Sequence, residues 1–131
     1  MTNKELISRY YQMWNEKDFT LADKLCDKDI RFRGSLDITA NGIDGFKEYA
    51  EMLINAFPNL YHAVEMSVFD GDVVATYVTY SAKHEGQLLE YSPTHKRISY
   101  SGASFFQIKD GKIVSINVLG DLNSLHKQLS E

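Results

Sequence analysis

The sequence predicts a segregated α+β fold, with helices first and a mostly antiparallel sheet after them. Three observations carry this. Apolar residues repeat with helical period as far as Pro58, they alternate with period two beyond it, and the Asp70-Gly71 and Asp110-Gly111 pairs divide the alternating part into hairpins. That order excludes a parallel sheet of alternating strands and helices. At 131 residues the chain has the length of one domain, so residues 1–131 are expected to build a single core.

The first helix is predicted over residues 3–15. Leu6, Ile7, Tyr10, Tyr11 and Trp14 form its apolar stripe, and Thr2 with Glu5 supplies a capping box at its start. A shorter stripe (Leu21, Ala22, Leu25, Cys26) predicts a helix of about two turns over 20–26, with Thr20 and Asp23 spaced as a second capping box. A short strand follows around Ile30 to Arg33, and a loop holding Gly34 and Gly42 leads into a third helix over 43–57. Its core face is Phe46, Tyr49, Ala50, Leu53 and Phe57, and Pro58 ends it by disfavouring helical geometry at the preceding residue.

Beyond Pro58, His62, Val64, Met66 and Val68 alternate with Ala63, Glu65, Ser67 and Phe69, which makes this segment a strand. Asp70-Gly71 turns it into a second strand, Val73 to His84. A polar loop from Glu85 to Lys96 separates that hairpin from another, Arg97 to Lys109 and Lys112 to Gly120 around Asp110-Gly111. Leu122, Leu125, His126 and Leu129 close the chain as an amphipathic helix. In the last strand Val114, Ile116 and Val118 are expected on one face and Ser115, Asn117 and Leu119 on the other, while Phe105 and Phe106 put an aromatic on each face of its neighbour. Both faces therefore need covering, one by the helices and the other by a subunit interface, so a homodimer through Val114, Ile116 and Val118 is expected.

Composition narrows the partners. Fourteen basic against eighteen acidic residues give a formal charge of −4, and the longest basic run is Lys96-Arg97, so the backbone of a nucleic acid finds no electrostatic footing. No run of apolar residues is long enough to span a membrane, and the N-terminus leads straight into a helix pattern without a signal-like apolar segment. With Cys26 as the single cysteine, the expectation is a cytoplasmic protein with neither a membrane nor a nucleic-acid partner.

The order of elements and several local strings resemble the SnoaL-like polyketide cyclases, or ester cyclases, of the nuclear transport factor 2-like superfamily. The strings are Arg33-Gly34-Ser35-Leu36, Gly42 ahead of a helix ending in Ala56-Phe57-Pro58-Asn59-Leu60, Lys83-His84-Glu85-Gly86-Gln87-Leu88, Ser92-Pro93-Thr94, Asp110-Gly111-Lys112-Ile113, and Val118-Leu119-Gly120-Asp121-Leu122 followed by Leu125 and Gln128-Leu129. The resemblance implies a cone-shaped, cystatin-like α+β barrel in which a strongly curved sheet wraps a long helix around an apolar pocket. It also implies cofactor-free ring closure by intramolecular aldol condensation, with an acidic residue after the last strand as general acid and base. The matching position is Asp121, and Gln107 is nearest to the assisting polar residue one strand over. Where the family often has a Trp four residues before its acid, this chain has Asn117.

The residues themselves leave alternatives open. A carboxylate can take a proton from carbon between carbonyls if its pocket excludes water, but Asp121 also has the sequence context of a helix N-cap. Gln107 shares a face with Phe105 and could hold a substrate carbonyl, or be an exposed strand residue. His84, ending a strand, is a base or a loop-edge histidine. Tyr10 and Trp14 are pocket wall or plain core, and Asn117, Phe105 and Leu119 line the pocket if Asp121 does. His62, His95 and His126 lack the spacing of a metal site, and Cys26 reads as core. The candidate functions are cofactor-free cyclase or isomerase chemistry on a small hydrophobic carbonyl compound, non-catalytic binding of an apolar small molecule, and epoxide hydrolysis. The last, which a related branch performs with two aspartates and an arginine, has only Arg97 and Asp121 to draw on.

Overall fold

The computed structural model describes all residues, Met1–Glu131. Helix α1 (Asn3–Glu16) starts where the Thr2 side chain accepts the Glu5 amide at 3.1 Å and ends on Lys17 in the left-handed region. A 3-10 turn (Phe19–Leu21) and the single-turn α2 (Ala22–Leu25) lead into β1 (Cys26–Arg33), β2 (Thr39–Asn41) and α3 (Gly42–Ala56). Strands β3 (Tyr61–Asp70), β4 (Val73–Lys83), β5 (Arg97–Lys109) and β6 (Lys112–Gly120) follow, and α4 (Leu122–Ser130) ends the chain. The six strands form one curved sheet in the order β2-β1-β6-β5-β4-β3, antiparallel except for the β1–β6 pair.

Several expectations are corrected. The helix expected over 20–26 is a 3-10 turn and one α turn, and buried Cys26 opens β1. Two turns of weak periodicity do not sustain a helix when the next residues can pair with β6. The loop between Gly34 and Gly42 contains β2, paired with β1 through Arg31↔Asn41 and Arg33↔Thr39. His84 lies just beyond β4, and the first hairpin turns on Gly71-Asp72, since Asp70 pairs with Val73 and only Gly71 has positive φ. The second hairpin turns on Asp110-Gly111 with both φ positive. In β3 a bulge at Glu65 resets the alternation, so His62, Val64, Ser67 and Phe69 share the inner face and Met66 and Val68 the outer one.

The most consequential correction concerns β5 and β6. Ser104, Phe106, Ile113, Ile116 and Val118 are buried, whereas Phe105, Gln107, Asn117 and Leu119 are exposed. The helices thus cover the face that carries Ile116 and Val118, and Val114 is only half-buried. The outer face is nevertheless apolar. Leu119–Ala103–Tyr77–Met66 and Asn117–Phe105–Ala75–Val68 run across it as cross-strand rows, with Val73 beside them, and Met66, Val68, Val73, Tyr77, Phe105 and Leu119 are all exposed. No helix is long and apolar enough to cross a membrane.

Candidate functional site

The inner face of the sheet and the buried stripes of α1 and α3 enclose a cavity lined by Tyr10, Tyr11, Trp14, Phe32, Ser35, Tyr49, Leu53, His62, Tyr80, Ser104 and Val118. Each lining residue is there for a local reason. Tyr10 and Trp14 lie one turn apart on α1, Tyr49 and Leu53 one turn apart on α3, and Tyr80, Ser104 and Val118 occupy inward positions of β4, β5 and β6. Two glycines make room for the tyrosines. The Tyr49 ring lies where a Cβ on Gly34 would be, and a Cβ on Gly102 would stand 2.6 Å from the Tyr80 ring and hydroxyl.

The free space is about 20 Å³, room for about one water molecule. The walls are aromatic. Trp14 tilts over His62 at 5.0 Å between ring centroids, and His62 meets Tyr80 edge-on at 5.0 Å. Beneath them Phe46 packs against Trp14 and Phe32.

Polar atoms are set into these walls. The Tyr11 hydroxyl and Thr76 Oγ1 are 2.6 Å apart, and Ser35 Oγ and the Tyr100 hydroxyl 3.0 Å apart. In contrast, Trp14 Nε1, the Tyr49 hydroxyl and His62 Nδ1 are buried without a well-formed hydrogen bond, Trp14 being close to the Tyr10 hydroxyl and Tyr49 to Ser35. Folded proteins seldom leave such groups orphaned, since each costs about 1–3 kcal/mol. Three of the four such atoms belong to residues lining this one cavity, His84 Nε2 being the fourth, and the free space there is enough for about one water molecule to satisfy them.

The electrostatics keep the cavity neutral. Burial, reinforced by the nearby Lys17 ammonium, pushes the His62 imidazole down to about 3. The phenols of Tyr10, Tyr11, Tyr49 and Tyr80 are all raised by burial, with Thr76 moderating the rise at Tyr11 and Ser35 that at Tyr49. These tyrosines therefore remain hydrogen-bond donors throughout the ordinary pH range. His62 is held in place through its backbone, whose N–H donates to Asn15 Oδ1 at 2.7 Å and whose carbonyl accepts from Asn15 Nδ2 at 3.0 Å.

Of the residues singled out in the sequence, Tyr10 and Trp14 line this cavity. Asp121 does not. It is exposed, and its carboxylate accepts the Ser124 amide at 3.1 Å as the N-cap of α4. Gln107, Asn117, Phe105 and Leu119 lie on the outer face, where Gln107 and Asn117 border a polar depression with Arg31 and Arg33. The expectation that these residues share the pocket with Trp14 is thus corrected. Its physical cause is the inverted parity of β5 and β6. His84 is buried away from the cavity against Phe57, with Nδ1 accepting the Thr94 amide at 3.1 Å, which anchors the following loop. Burial lowers its pKa. Burial pushes the Cys26 thiol up to about 12, so it is no nucleophile at ordinary pH.

The sequence reading missed His62, Tyr49, Tyr80, Ser35 and Ser104 as cavity residues. Polar side chains at inward positions of β4 and β5 were the available signal, but only once parity is known. No carboxylate or guanidinium lines the cavity, and no three His, Cys, Asp or Glu side chains are grouped to hold a metal ion.

Comparison with known proteins places this architecture. No curated protein matches the chain. Among solved structures, a candidate SnoaL-like polyketide cyclase from Jannaschia sp. CCS1 superposes with a TM-score of 0.90 at 20% identity, covering 98% of this chain and 91% of that one. TsrD from Streptomyces laurentii gives 0.87 at 23% identity, covering 96% and 92%. AclR, a candidate hydroxylase from Streptomyces galilaeus, gives 0.84 at 27% identity, covering 97% and 80%. The family model for SnoaL-like polyketide cyclases matches residues 4–129, so this chain belongs to that family.

Proposed function

We propose that the protein binds a small hydrophobic carbonyl compound in the aromatic cavity, with the ligand oxygen received by the buried donors of Trp14 and Tyr49. The observation that carries this reading is the trio of unpartnered polar atoms, Trp14 Nε1, Tyr49 hydroxyl and His62 Nδ1, around one aromatic-walled space. A carbonyl oxygen accepts from such donors, and the rest of the compound meets rings. The free space of about 20 Å³ takes the ligand oxygen alone, so the carbon part enters only as the aromatic side chains shift, which favours a small compound over a polycyclic one.

Cyclase or isomerase turnover on the same compound is the second reading. It is favoured by His62, the one cavity group able to take a proton near its binding place. A base is most effective when its pKa lies near the working pH, and a ring nitrogen held near 3 is weak toward a carbon acid. Asp121, capping α4, is outside the cavity. Binding therefore ranks above turnover, and epoxide hydrolysis, with no acid and no arginine at the cavity, ranks last.

Trp14 is the single tryptophan, so its indole N–H is a unique probe in proton NMR. Titration with 2-butanone is expected to move that resonance saturably, and Tyr49→Phe to weaken binding about fivefold, the worth of one hydrogen bond of about 1 kcal/mol. An indole resonance that stays fixed sinks the reading. Deuterium exchange at the ketone's α-carbon separates the two readings. Binding alone leaves it at the buffer rate, whereas exchange that disappears in His62→Phe and survives in Asp121→Asn establishes turnover at His62.

The exposed apolar rows on the outer face support a homodimer, each copy covering the other's Met66, Val68, Tyr77, Phe105 and Leu119. A pair of sheets meeting through one self-complementary patch satisfies both copies at once. Light scattering is expected to give twice the chain mass at micromolar concentration and the monomer mass for Phe105→Glu. A monomeric wild type defeats it.

A further inference from the structure

We infer that the binding site does not end at the aromatic cavity but continues past Tyr11 into the groove between α1 and β3, and that the ligand carries an unbranched apolar tail lying in that groove. This inference rests on the carbonyl-binding reading of the cavity and adds the shape of the compound it takes.

The geometry is one of succession along two elements. On the inner face of β3, His62 lines the cavity, and the next inward positions, Val64, Ser67 and Phe69, line the groove. The bulge at Glu65 is what puts Ser67 and Phe69 there in place of Met66 and Val68. On α1, Tyr10 and Trp14 face the cavity, while Lys4, Ile7 and Ser8 face the groove. Tyr11 lines both spaces and is the wall between them. The groove holds about 260 Å³, near the roughly 300 Å³ lower end of small-molecule sites, whereas the cavity alone holds about 20 Å³.

The wall is a single side chain. Tyr11 is held at its tip by hydrogen bonding to Thr76 and at its ring by edge-on contact with Tyr10 and Phe106, so a tail that passes from cavity to groove has this one ring to displace. Two other cavity residues also border outer depressions, but Phe32 lies within β1, paired on both sides, and the Tyr49 ring is seated over Gly34. β3, by contrast, is an edge strand with a broken register at the groove. From Val64 to Phe69, opposite Val78 to Val74, the groove follows four strand steps, about 13 Å at ~3.3 Å per residue, enough for a chain of about ten carbons. Val64 and Phe69 remain substantially exposed, which is the apolar surface such a tail would cover. A ligand with its carbonyl at Trp14 and its tail along Val64 and Phe69 satisfies the unpartnered donors and the uncovered side chains together.

The test uses straight-chain 2-alkanones from 2-butanone to 2-decanone, read at the Trp14 indole N–H. Affinity is expected to rise about fourfold per added methylene, the value of burying one such group. Ser67→Phe and Ser8→Phe, both at exposed groove positions, are expected to flatten that rise while leaving 2-butanone affinity unchanged. If 2-butanone binds but affinity does not climb with chain length, or climbs equally in both variants, the groove inference is overturned and the cavity reading stands. If no ketone moves the indole resonance, both are overturned.

Discussion

Acidification from pH 7 to pH 4 is expected to destabilise this protein by several kcal/mol, with His62 as the main cause. In the unfolded chain its imidazole takes up a proton near 6.5, while in the folded cavity it does so only near 3. Between those values the unfolded state holds a proton that the native state lacks, so stability falls as pH falls, by about 1.4 kcal/mol per pH unit. The loss begins below about 6.5 and reaches roughly 3 kcal/mol at pH 4, a large share of the 5–15 kcal/mol typical of a domain. His84, also lowered by burial, adds a slope of the same sign. Urea midpoints at pH 7.5, 5.5 and 4.5 measure the effect. His62→Phe keeps an aromatic ring between Trp14 and Tyr80 and removes the orphaned Nδ1, so neutral-pH stability should change by about 1 kcal/mol or less while most of the acid slope disappears. An unchanged slope in that variant would place the acid sensitivity elsewhere.

The same histidine marks the boundary of what local sequence can say. Helix α1 was legible because its stripe of Leu6, Ile7, Tyr10, Tyr11 and Trp14 and its Thr2 cap act over a few residues, and α3 because Pro58 stops it. The Asp110-Gly111 turn was legible for the same reason. The placement of Asn117, Leu119, Phe105 and Gln107 was not, because β5 and β6 carry apolar side chains on both faces. Period two then fixes which residues go together but not which set the helices cover. In β3 the bulge at Glu65 broke the alternation that had grouped His62 with Met66 and Val68. β2 has only three residues and no apolar pattern, and it exists through pairing with Arg31 and Arg33. Asp121 had the right neighbours for a cap, and the Ser124 amide takes its carboxylate. The cavity followed from none of these alone. It requires parity on five strands and two helix faces at once, so only Tyr10 and Trp14, on the buried stripe of α1, were visible beforehand.

Phe46→Ala is expected to cost about 3–5 kcal/mol, enough to lower the midpoint of thermal unfolding by roughly 10–20 °C in a chain of this size. Phe46 is fully buried, and its ring meets Phe32 at 5.0 Å, Trp14 at 5.9 Å, Tyr10 at 6.3 Å and Phe19 at 6.4 Å. Those neighbours belong to β1, to α1 and to the 3-10 turn after it. Each is fixed by its own element, so they cannot close together over the missing ring, and the full cavity cost should appear. The void would open beside Trp14, enlarging the aromatic space by about one benzene ring. Benzene should therefore raise the unfolding temperature of Phe46→Ala and leave the wild type unchanged, because a ligand that fills a void only in the folded state stabilises that state by mass action. A loss below about 1 kcal/mol with no response to benzene would show that α1 and α3 collapse onto each other, and that the aromatic walls of the site are softer than their packing implies.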